Sequence, residues 1–128
     1  MTTRTNIRLL IVDDEIGFAD VLRKRMARRG VEATPASSGE EAFRILRGYE
    51  FDVAIVDLKL QGMDGVEILR VFRLMAPDMP VLMLTGHGCD DARRICMEYG
   101  ASGYLHKPIE FDRLLERTLH AAEAGGAA

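Results

Sequence analysis

Five polar side chains that can bind phosphate or metal ions each stand at or directly after the end of an apolar run. They are Asp13, Asp14, Asp57, Thr85 and Lys107. Short apolar runs rich in β-branched residues are typical of strands that are buried on both faces. In an open parallel sheet, ligands bind beyond the carboxyl ends of such strands. Taken alone, Asp57 fits a helix or turn cap equally well, so the surrounding elements decide between the two interpretations.

These residue types suit one chemistry, the acceptance of a phosphoryl group. Carboxylates a few ångströms apart repel one another unless a cation joins them, and oxygen ligands without His or Cys favour Mg²⁺ over Zn²⁺. An ionised Asp can attack a phosphoryl group without a general base, and a metal ion can neutralise charge on the equatorial oxygens. The Thr85 hydroxyl and the Lys107 ammonium could bind the remaining phosphoryl oxygens.

The hydrophobic pattern predicts the elements that would bring these residues together. Apolar runs predict five strands, at about 7–12, 31–36, 52–56, 80–84 and 102–105. A segment with apolar residues three and four apart, the period of an amphipathic helix, follows each strand. Ser38 and Asp64 are placed to cap the second and third helices. Pro35 favours an edge position or an early end for the second strand, and the spacing puts Val21 and Tyr99 on inward helix faces.

Strictly alternating strands and helices predict a doubly wound α/β domain. Mostly apolar strands indicate a parallel sheet with helices on both faces, a three-layer arrangement. Right-handed crossovers then place the carboxyl ends of all strands at one edge, where the five polar residues would converge. A chain of 128 residues, 48% of them hydrophobic, can bury one such core and leaves little room for a second domain.

Composition limits the classes of partner. With 17 Lys+Arg against 20 Asp+Glu, the net charge of −3 does not favour direct binding of nucleic acid or of an anionic membrane. No apolar run approaches the roughly 20 residues that span a bilayer, and the N-terminus lacks an apolar signal core, so we expect a soluble cytoplasmic protein. Cys89 and Cys96 lack a disulfide or zinc pattern, and Cys96 is expected in the core.

In combination, the motifs resemble the receiver domain of two-component response regulators. The resemblance rests on Asp13-Asp14, Asp57, Leu60-x-Gly62-Met63-Asp64-Gly65, Thr85-Gly86 and Lys107-Pro108, each at the end of a predicted strand or in the turn that follows. It covers residues 7–122, leaving 1–6 as a flexible N-terminus and 123–128 as a flexible tail or the start of a linker. It implies a flavodoxin-like five-stranded sheet in the order 2-1-3-4-5.

The resemblance implies a phosphoacceptor and a metal site. Asp57 would take a phosphoryl group from a phosphohistidine of a sensor histidine kinase or histidine phosphotransfer protein. Asp14, Asp57 and the main-chain carbonyl of Lys59 would hold Mg²⁺, with Asp13 acting through bound water. Such a domain is a signalling module whose only catalysis is phosphoryl transfer to itself and its own dephosphorylation.

The resemblance also implies a switch. Lys107 would contact the phosphoryl group, and its peptide bond to Pro108 would be cis. The Thr85 hydroxyl would move onto the phosphate and the Tyr104 ring would follow inward. The surface of the fourth helix, fifth strand and fifth helix would then change for a downstream effector or output domain, or for a phosphorylation-dependent homodimer.

Two positions beside the predicted phosphate are candidates for tuning the reaction rate. Lys59 and His87 stand two residues after Asp57 and Thr85, where side chains in this family tend to gate water and set the phosphoryl lifetime. The alternative is that both are solvated side chains at the rim. Gln61 replaces the Pro of many family members and removes no chemical group.

Several other functions remain open from the sequence. The chain is either a stand-alone regulator or phosphorelay intermediate, or the receiver part of a longer regulator. A magnesium-dependent phosphatase with an aspartate nucleophile would carry a second Asp two residues later, where this chain has Lys59. A flavin carrier would need a Ser/Thr-rich phosphate loop after the first strand. An interaction module that never becomes phosphorylated is disfavoured because every required group is present.

Overall fold

A computed structural model describes residues 6–60, 62–86 and 89–126, in which strands and helices alternate along the chain. The strands are β1 (Ile7–Val12), β2 (Val31–Ala36), β3 (Val53–Asp57), β4 (Val81–Thr85) and β5 (Gly103–His106). The helices are α1 (Ile16–Ala27), α2 (Gly39–Gly48), α3 (Gly65–Met75), α4 (Asp90–Glu98) and α5 (Phe111–Gly126).

The strands form one parallel sheet in the order β2-β1-β3-β4-β5. The doubly wound, flavodoxin-like arrangement predicted from the sequence is therefore confirmed. The chain crosses to the other side of β1 between β2 and β3, so the connections reverse direction there. Ligands of open α/β sheets bind in the crevice at such a reversal, beyond the carboxyl ends of the strands.

Successive residues of each strand point to opposite faces of the sheet. Both faces are therefore apolar, and helices cover each of them to form two separate cores. Leu9 and Ile11 of β1 pack into a core completed by α1 and α5, whereas Leu10 and Val12 pack into one completed by α2, α3 and α4. All four side chains are fully buried. Burial on both faces explains why the strands read as continuous apolar runs.

Local sequence signals account for the starts of two helices and the edge of the sheet. Ser38 Oγ accepts a hydrogen bond from the Glu41 N–H at 3.1 Å, and Asp64 Oδ1 accepts one from the Val66 N–H at 2.9 Å, so both predicted caps are confirmed. The Glu41 carboxylate closes back on the Ser37 N–H rather than on that of Ser38. The second strand lies at the edge of the sheet, as Pro35 predicted, but it does not end early.

Two inward-facing predictions are wrong. Val21 is 57% exposed because α1 buries Ala19, Leu22 and Met26, which turns Val21 toward solvent. Tyr99 is 43% exposed because it follows the last turn of α4, where its ring lies 5.0 Å from the Arg70 guanidinium.

The last helix continues beyond the predicted end of the domain. Residues 123–126 extend α5 where a flexible tail was predicted to begin. Ala121 and Ala122 are buried against the sheet, and Glu123 and Ala124 have high helix propensity, so the helix continues past them. Residues 127–128, like residues 1–5, lie outside the described part of the chain.

The two cysteines differ in their exposure to solvent. Cys96 is fully buried in the core, as predicted, and Cys89 is exposed; both are free thiols. Within residues 6–60, 62–86 and 89–126, no helix has the length and apolar character needed to cross a membrane.

Candidate functional site

The structure brings three carboxylates together at the crevice between β1 and β3. Asp57 is the last residue of β3, while Asp13 and Asp14 directly follow β1. One carboxylate oxygen from each residue lies within 4.8 Å of the other two. Asp13 and Asp57 are only 4% and 7% exposed, and Asp14 is half-buried. Burial of three acids at this distance requires compensating positive charge.

Lys107, directly after β5, supplies part of that charge. Its ammonium nitrogen lies 3.0 Å from Asp13 Oδ2, 3.1 Å from Glu15 Oε1 and 3.7 Å from Asp57 Oδ2. It also lies 4.5 Å from the centre of the Phe18 ring, within the range of a cation–π contact. Lys107 is therefore held among carboxylates and above an aromatic ring.

Main-chain pairing between the last two strands fixes the position of the Lys107 backbone. The Lys107 N–H donates to the Thr85 carbonyl at 2.8 Å, which extends the β4–β5 pairing by one residue. The peptide bond between Lys107 and Pro108 is cis, the conformation that the resemblance implies. Thr85 is fully buried and stands one residue after Leu84, the register partner of Asp57.

A tight turn holds the backbone after β3 against the site. Asp57 Oδ1 accepts a hydrogen bond from the Lys59 N–H at 3.3 Å, and Lys59 forms an antiparallel bridge with Asp64. The Gly65 N–H donates to the Leu58 carbonyl at 2.9 Å. A Cβ at Gly65 would lie 2.5 Å from the Asp57 carbonyl oxygen, so only glycine fits this approach. The Lys59 side chain is exposed.

The charges of the site shift two pKa values. Burial raises the pKa of Asp57; the positive charge of Lys107 opposes this effect, and the negative charge of Asp13 adds to it. Burial alone would lower the pKa of Lys107, but hydrogen bonds to Asp13 and Glu15 outweigh it and the pKa is raised. Lys107 is therefore a permanent cation near neutral pH.

Tyr104 lies on the same face of the sheet as Thr85. Its register partner is Met83, two residues before Thr85, so the side chains of all three point to one side. The Tyr104 hydroxyl is buried and finds no hydrogen-bond partner among the residues that the structure describes. Its ring contacts His106 edge-on, with 5.4 Å between ring centres.

Sequence reasoning missed two partners of Lys107. Phe18 was assigned only to the apolar face of α1, and no role was predicted for Glu15. The single available signal was the position of Glu15 directly after the acidic pair. His87, predicted to tune the phosphoryl lifetime, lies outside the described residues, as does Gln61.

The donor set fits a hard divalent cation. Three carboxylate oxygens within 4.8 Å of one another, without a His or Cys in the group, are the ligands that such ions prefer. The acidic cluster can therefore hold a metal ion. Lys107 and that ion would share Asp13, because its Oδ2 already accepts from Lys107.

The fold and the site together define a doubly wound α/β domain with an acidic, lysine-containing crevice at its topological switch point. Residues 9–119 match the family model of the response regulator receiver domain. The chain belongs to this family of signalling domains.

Individual relatives are similar along nearly the whole chain. The transcriptional regulatory protein ZraR of Escherichia coli (strain K12) is 33% identical over 122 residues, which cover 95% of this chain and 27% of that protein. A CheY-like receiver domain protein from Methanospirillum hungatei JF-1 has 27% identity and a TM-score of 0.91, covering 94% of this chain and 97% of that one.

A third relative was solved in a modified state. A response regulator protein from Burkholderia pseudomallei, with a phosphorylated aspartic acid, a calcium ion and citrate, is 27% identical with a TM-score of 0.85. The match covers 94% of this chain and 71% of that one. By contrast, the chain spans only about a quarter of ZraR, 27% of its length.

Proposed function

We propose that Asp57 is the phosphoacceptor of this receiver domain. One carboxylate oxygen of Asp57 attacks the phosphorus of a phosphohistidine on a sensor histidine kinase or histidine phosphotransfer protein. A P–O bond forms as the P–N bond to the imidazole breaks, and Asp57 needs no proton acceptor because its ionised carboxylate is the nucleophile. The observation that carries the proposal is the placement of Asp57 Oδ2 3.7 Å from the Lys107 ammonium in a buried crevice.

Two side chains receive the transferred group. The Lys107 ammonium compensates the added negative charge, and the Thr85 hydroxyl supplies a second hydrogen bond to a phosphoryl oxygen. Their positions support this because Lys107 already lies beside Asp57, and Thr85 closes the neighbouring strand one residue beyond the partner of Asp57. Fixed donors of this kind stabilise charge with little reorganisation.

Mg²⁺ is the proposed cofactor, held by Asp14, Asp57 and the Lys59 main-chain carbonyl, with Asp13 acting through water. When bound, the ion supplies positive charge to the transferring phosphoryl group. The oxygen-only donor set supports this choice. A relative from Burkholderia pseudomallei that contains both a phosphorylated aspartic acid and a calcium ion supports a phosphoacceptor aspartate in this fold.

Phosphorylation would act through Thr85 and Tyr104 on the surface of α4, β5 and α5. A phosphoryl group adds roughly −1.5 to −2 charges, which draws the Thr85 hydroxyl toward it. The Tyr104 ring, on the same face of the sheet, is then held in the inward position, in which its hydroxyl is already buried in this structure.

The altered surface would bind a downstream effector or output domain, or a second copy of the chain in a phosphorylation-dependent homodimer. The receiver part of a longer regulator is favoured over a stand-alone protein because this chain matches only 27% of ZraR. The domain would act in the cytoplasm, where a sensor kinase can draw on ATP, and its only catalysis would be on itself.

The test is a gain of one phosphoryl group in intact mass after incubation with acetyl phosphate and Mg²⁺. Phosphoramidate, whose P–N bond resembles that of phosphohistidine, serves as a second donor. Asp57→Asn and a metal-chelated sample are expected to gain nothing, whereas Asp52→Asn, an acid at the opposite end of β3, is expected to behave like the parent. A folded parent that gains no mass from either donor contradicts the proposal.

A separate prediction concerns the side chains of Lys59 and His87. Lys59 and His87 would tune the phosphoryl lifetime by controlling access of water to the phosphoryl group. Lys59→Ala and His87→Ala should each change the half-life of the phosphorylated protein. Half-lives equal to that of the parent would leave both as solvated side chains.

A further inference from the structure

Glu15 uses its side chain in an unusual way for its position. It is the residue that caps the N-terminus of α1, where a side chain ordinarily accepts hydrogen bonds from the first helical N–H groups. Within the described part of the chain it makes no such bond. Its Oε1 instead accepts from the Lys107 ammonium at 3.1 Å, so this cap position is directed at the phosphoryl-binding lysine.

The backbone around Glu15 holds it in that place. The Glu15 N–H donates to Asp13 Oδ1 at 2.9 Å, and the other oxygen of Asp13 accepts from Lys107 at 3.0 Å. Glu15, Asp13 and Lys107 thus form a closed triangle at the rim. The Glu15 side chain is 65% exposed, whereas that of Asp13 is 3% exposed, so Glu15 is the member that can change without leaving a buried charge behind.

The pairing occupies the ammonium before any phosphoryl group arrives. A lysine has three hydrogens to donate; two go to Asp13 and Glu15, and Asp57 at 3.7 Å is beyond hydrogen-bonding distance. Two carboxylates within 3.1 Å also compensate the lysine charge. When a phosphoryl group is attached to Asp57, the nearby Lys107 ammonium is therefore already hydrogen-bonded to Asp13 and Glu15.

We propose that Glu15 competes with the phosphoryl group of Asp57 for the charge and hydrogen bonds of Lys107. Glu15 is then a positioning residue that acts through Lys107 and limits the affinity of the site for the phosphodonor and for the attached group. This inference rests on the proposed role of Asp57. Removing the charge of Glu15 leaves Asp13 as the only close carboxylate partner of Lys107, with Asp57 at 3.7 Å, and makes Lys107 a better partner for phosphate.

Glu15→Gln tests the competition because it keeps the shape and removes the charge. The half-saturating concentration of acetyl phosphate, from initial rates of mass gain with Mg²⁺, should fall about two- to fivefold, the range for one partly exposed ion pair. Glu15→Asp keeps the charge and should return toward the parent value. Glu110→Gln is the matched control, because Glu110 is an exposed acid near Lys107 in the chain and is not among its carboxylate partners.

Thermal unfolding of the metal-free variants separates competition from a structural role. A residue that merely supports α1 would lower the melting temperature in Glu15→Gln and leave the half-saturating concentration unchanged. That result, or a shift no larger than in Glu110→Gln, would overturn the inference.

A titration with beryllofluoride and Mg²⁺, followed by fluorine NMR, repeats the comparison with a mimic of the attached phosphoryl group and needs no phosphoryl transfer. Tighter binding by Glu15→Gln than by Glu110→Gln supports competition, and equal binding contradicts it. A folded parent that gains no mass from either acetyl phosphate or phosphoramidate refutes the proposed function, while this titration still decides the role of Glu15.

Discussion

Leu10 in β1 and Asp13 just beyond its end are three residues apart and almost equally hidden from solvent, at 0% and 4% exposure. Burial of Leu10 contributes about 1.5–3 kcal/mol of hydrophobic stabilisation. Burial of a carboxylate costs free energy unless pairing compensates it, and the pairing at Asp13 is shared among several acids. The middle of the sheet is therefore stabilised by burial, whereas at its C-terminal edge burial of charge costs free energy that pairing with Lys107 has to offset.

The largest expected effect lies on the stabilising side of this comparison. Phe72 of α3 is fully buried and contacts Phe43 edge-on, with 5.9 Å between ring centres. Phe72→Ala should lower the free energy of unfolding by about 3–5 kcal/mol, because the ring leaves a cavity that the neighbouring helices cannot fill. Urea denaturation of the metal-free protein measures the change. A loss below about 1 kcal/mol would mean that this core is loosely packed.

A smaller loss is expected where the core meets the edge. A Cβ in Gly65→Ala would lie 2.7 Å from the Leu58 Cα as well as 2.5 Å from the Asp57 carbonyl oxygen. The backbone has to shift, at a cost of about 1–3 kcal/mol, and phosphoryl acceptance should fall with it because Lys59 moves away from Asp57. Gly48→Ala is the matched control, since a Cβ there meets nothing within 4 Å. Equal stability of the two variants would show that the turn adapts freely.

At the C-terminal edge of the sheet, a substitution should raise the free energy of unfolding rather than lower it. Asp57→Asn removes a charge disfavoured by burial and by neighbouring acids, while Lys107 keeps its contacts with Asp13 and Glu15. The variant should be more stable than the parent by about 0.5–2 kcal/mol near neutral pH, the usual gain when a functional constraint is relieved. Urea denaturation in a metal chelator measures it. A less stable variant would mean that the Asp57–Lys107 attraction outweighs the cost of burial.

The stability difference between Asp57→Asn and the parent should depend on pH in one direction. The pKa of Asp57 is raised in the folded protein above its usual value of 3.8, so the folded state binds the proton more readily than the unfolded state. Stability from this group is complete below pH 3.8 and is lost as the pH rises through the folded pKa. The advantage of Asp57→Asn should therefore shrink as the solution is acidified from neutral pH. An advantage that grows on acidification would contradict the raised pKa.

Sequence patterns predicted the parallel sheet and the residues that meet at its edge, because both follow from strand periodicity and right-handed crossovers. The strand order came from the family resemblance, since periodicity alone does not determine it. The patterns failed where neighbouring positions compete for one face: Val21 and Leu22 both fit the helical spacing, and only packing shows that Leu22 is buried. The contact between Glu15 and Lys107 joins residues 92 positions apart. No local pattern reports side-chain direction over that separation, so the structure was needed to find it.

The smallest effect is expected at an ion pair outside both regions. Arg29 Nη1 lies 3.4 Å from Asp112 Oδ1, with the two side chains 54% and 84% exposed. Because solvent and salt screen such a pair, Asp112→Asn should change the free energy of unfolding by no more than about 0.5 kcal/mol, and less in 1 M salt. Asp13→Asn, whose carboxylate is 3% exposed and pairs with Lys107 at 3.0 Å, is the comparison. If both variants change stability equally, in the same direction and with the same salt dependence, burial does not distinguish the charges of the edge from those of the surface.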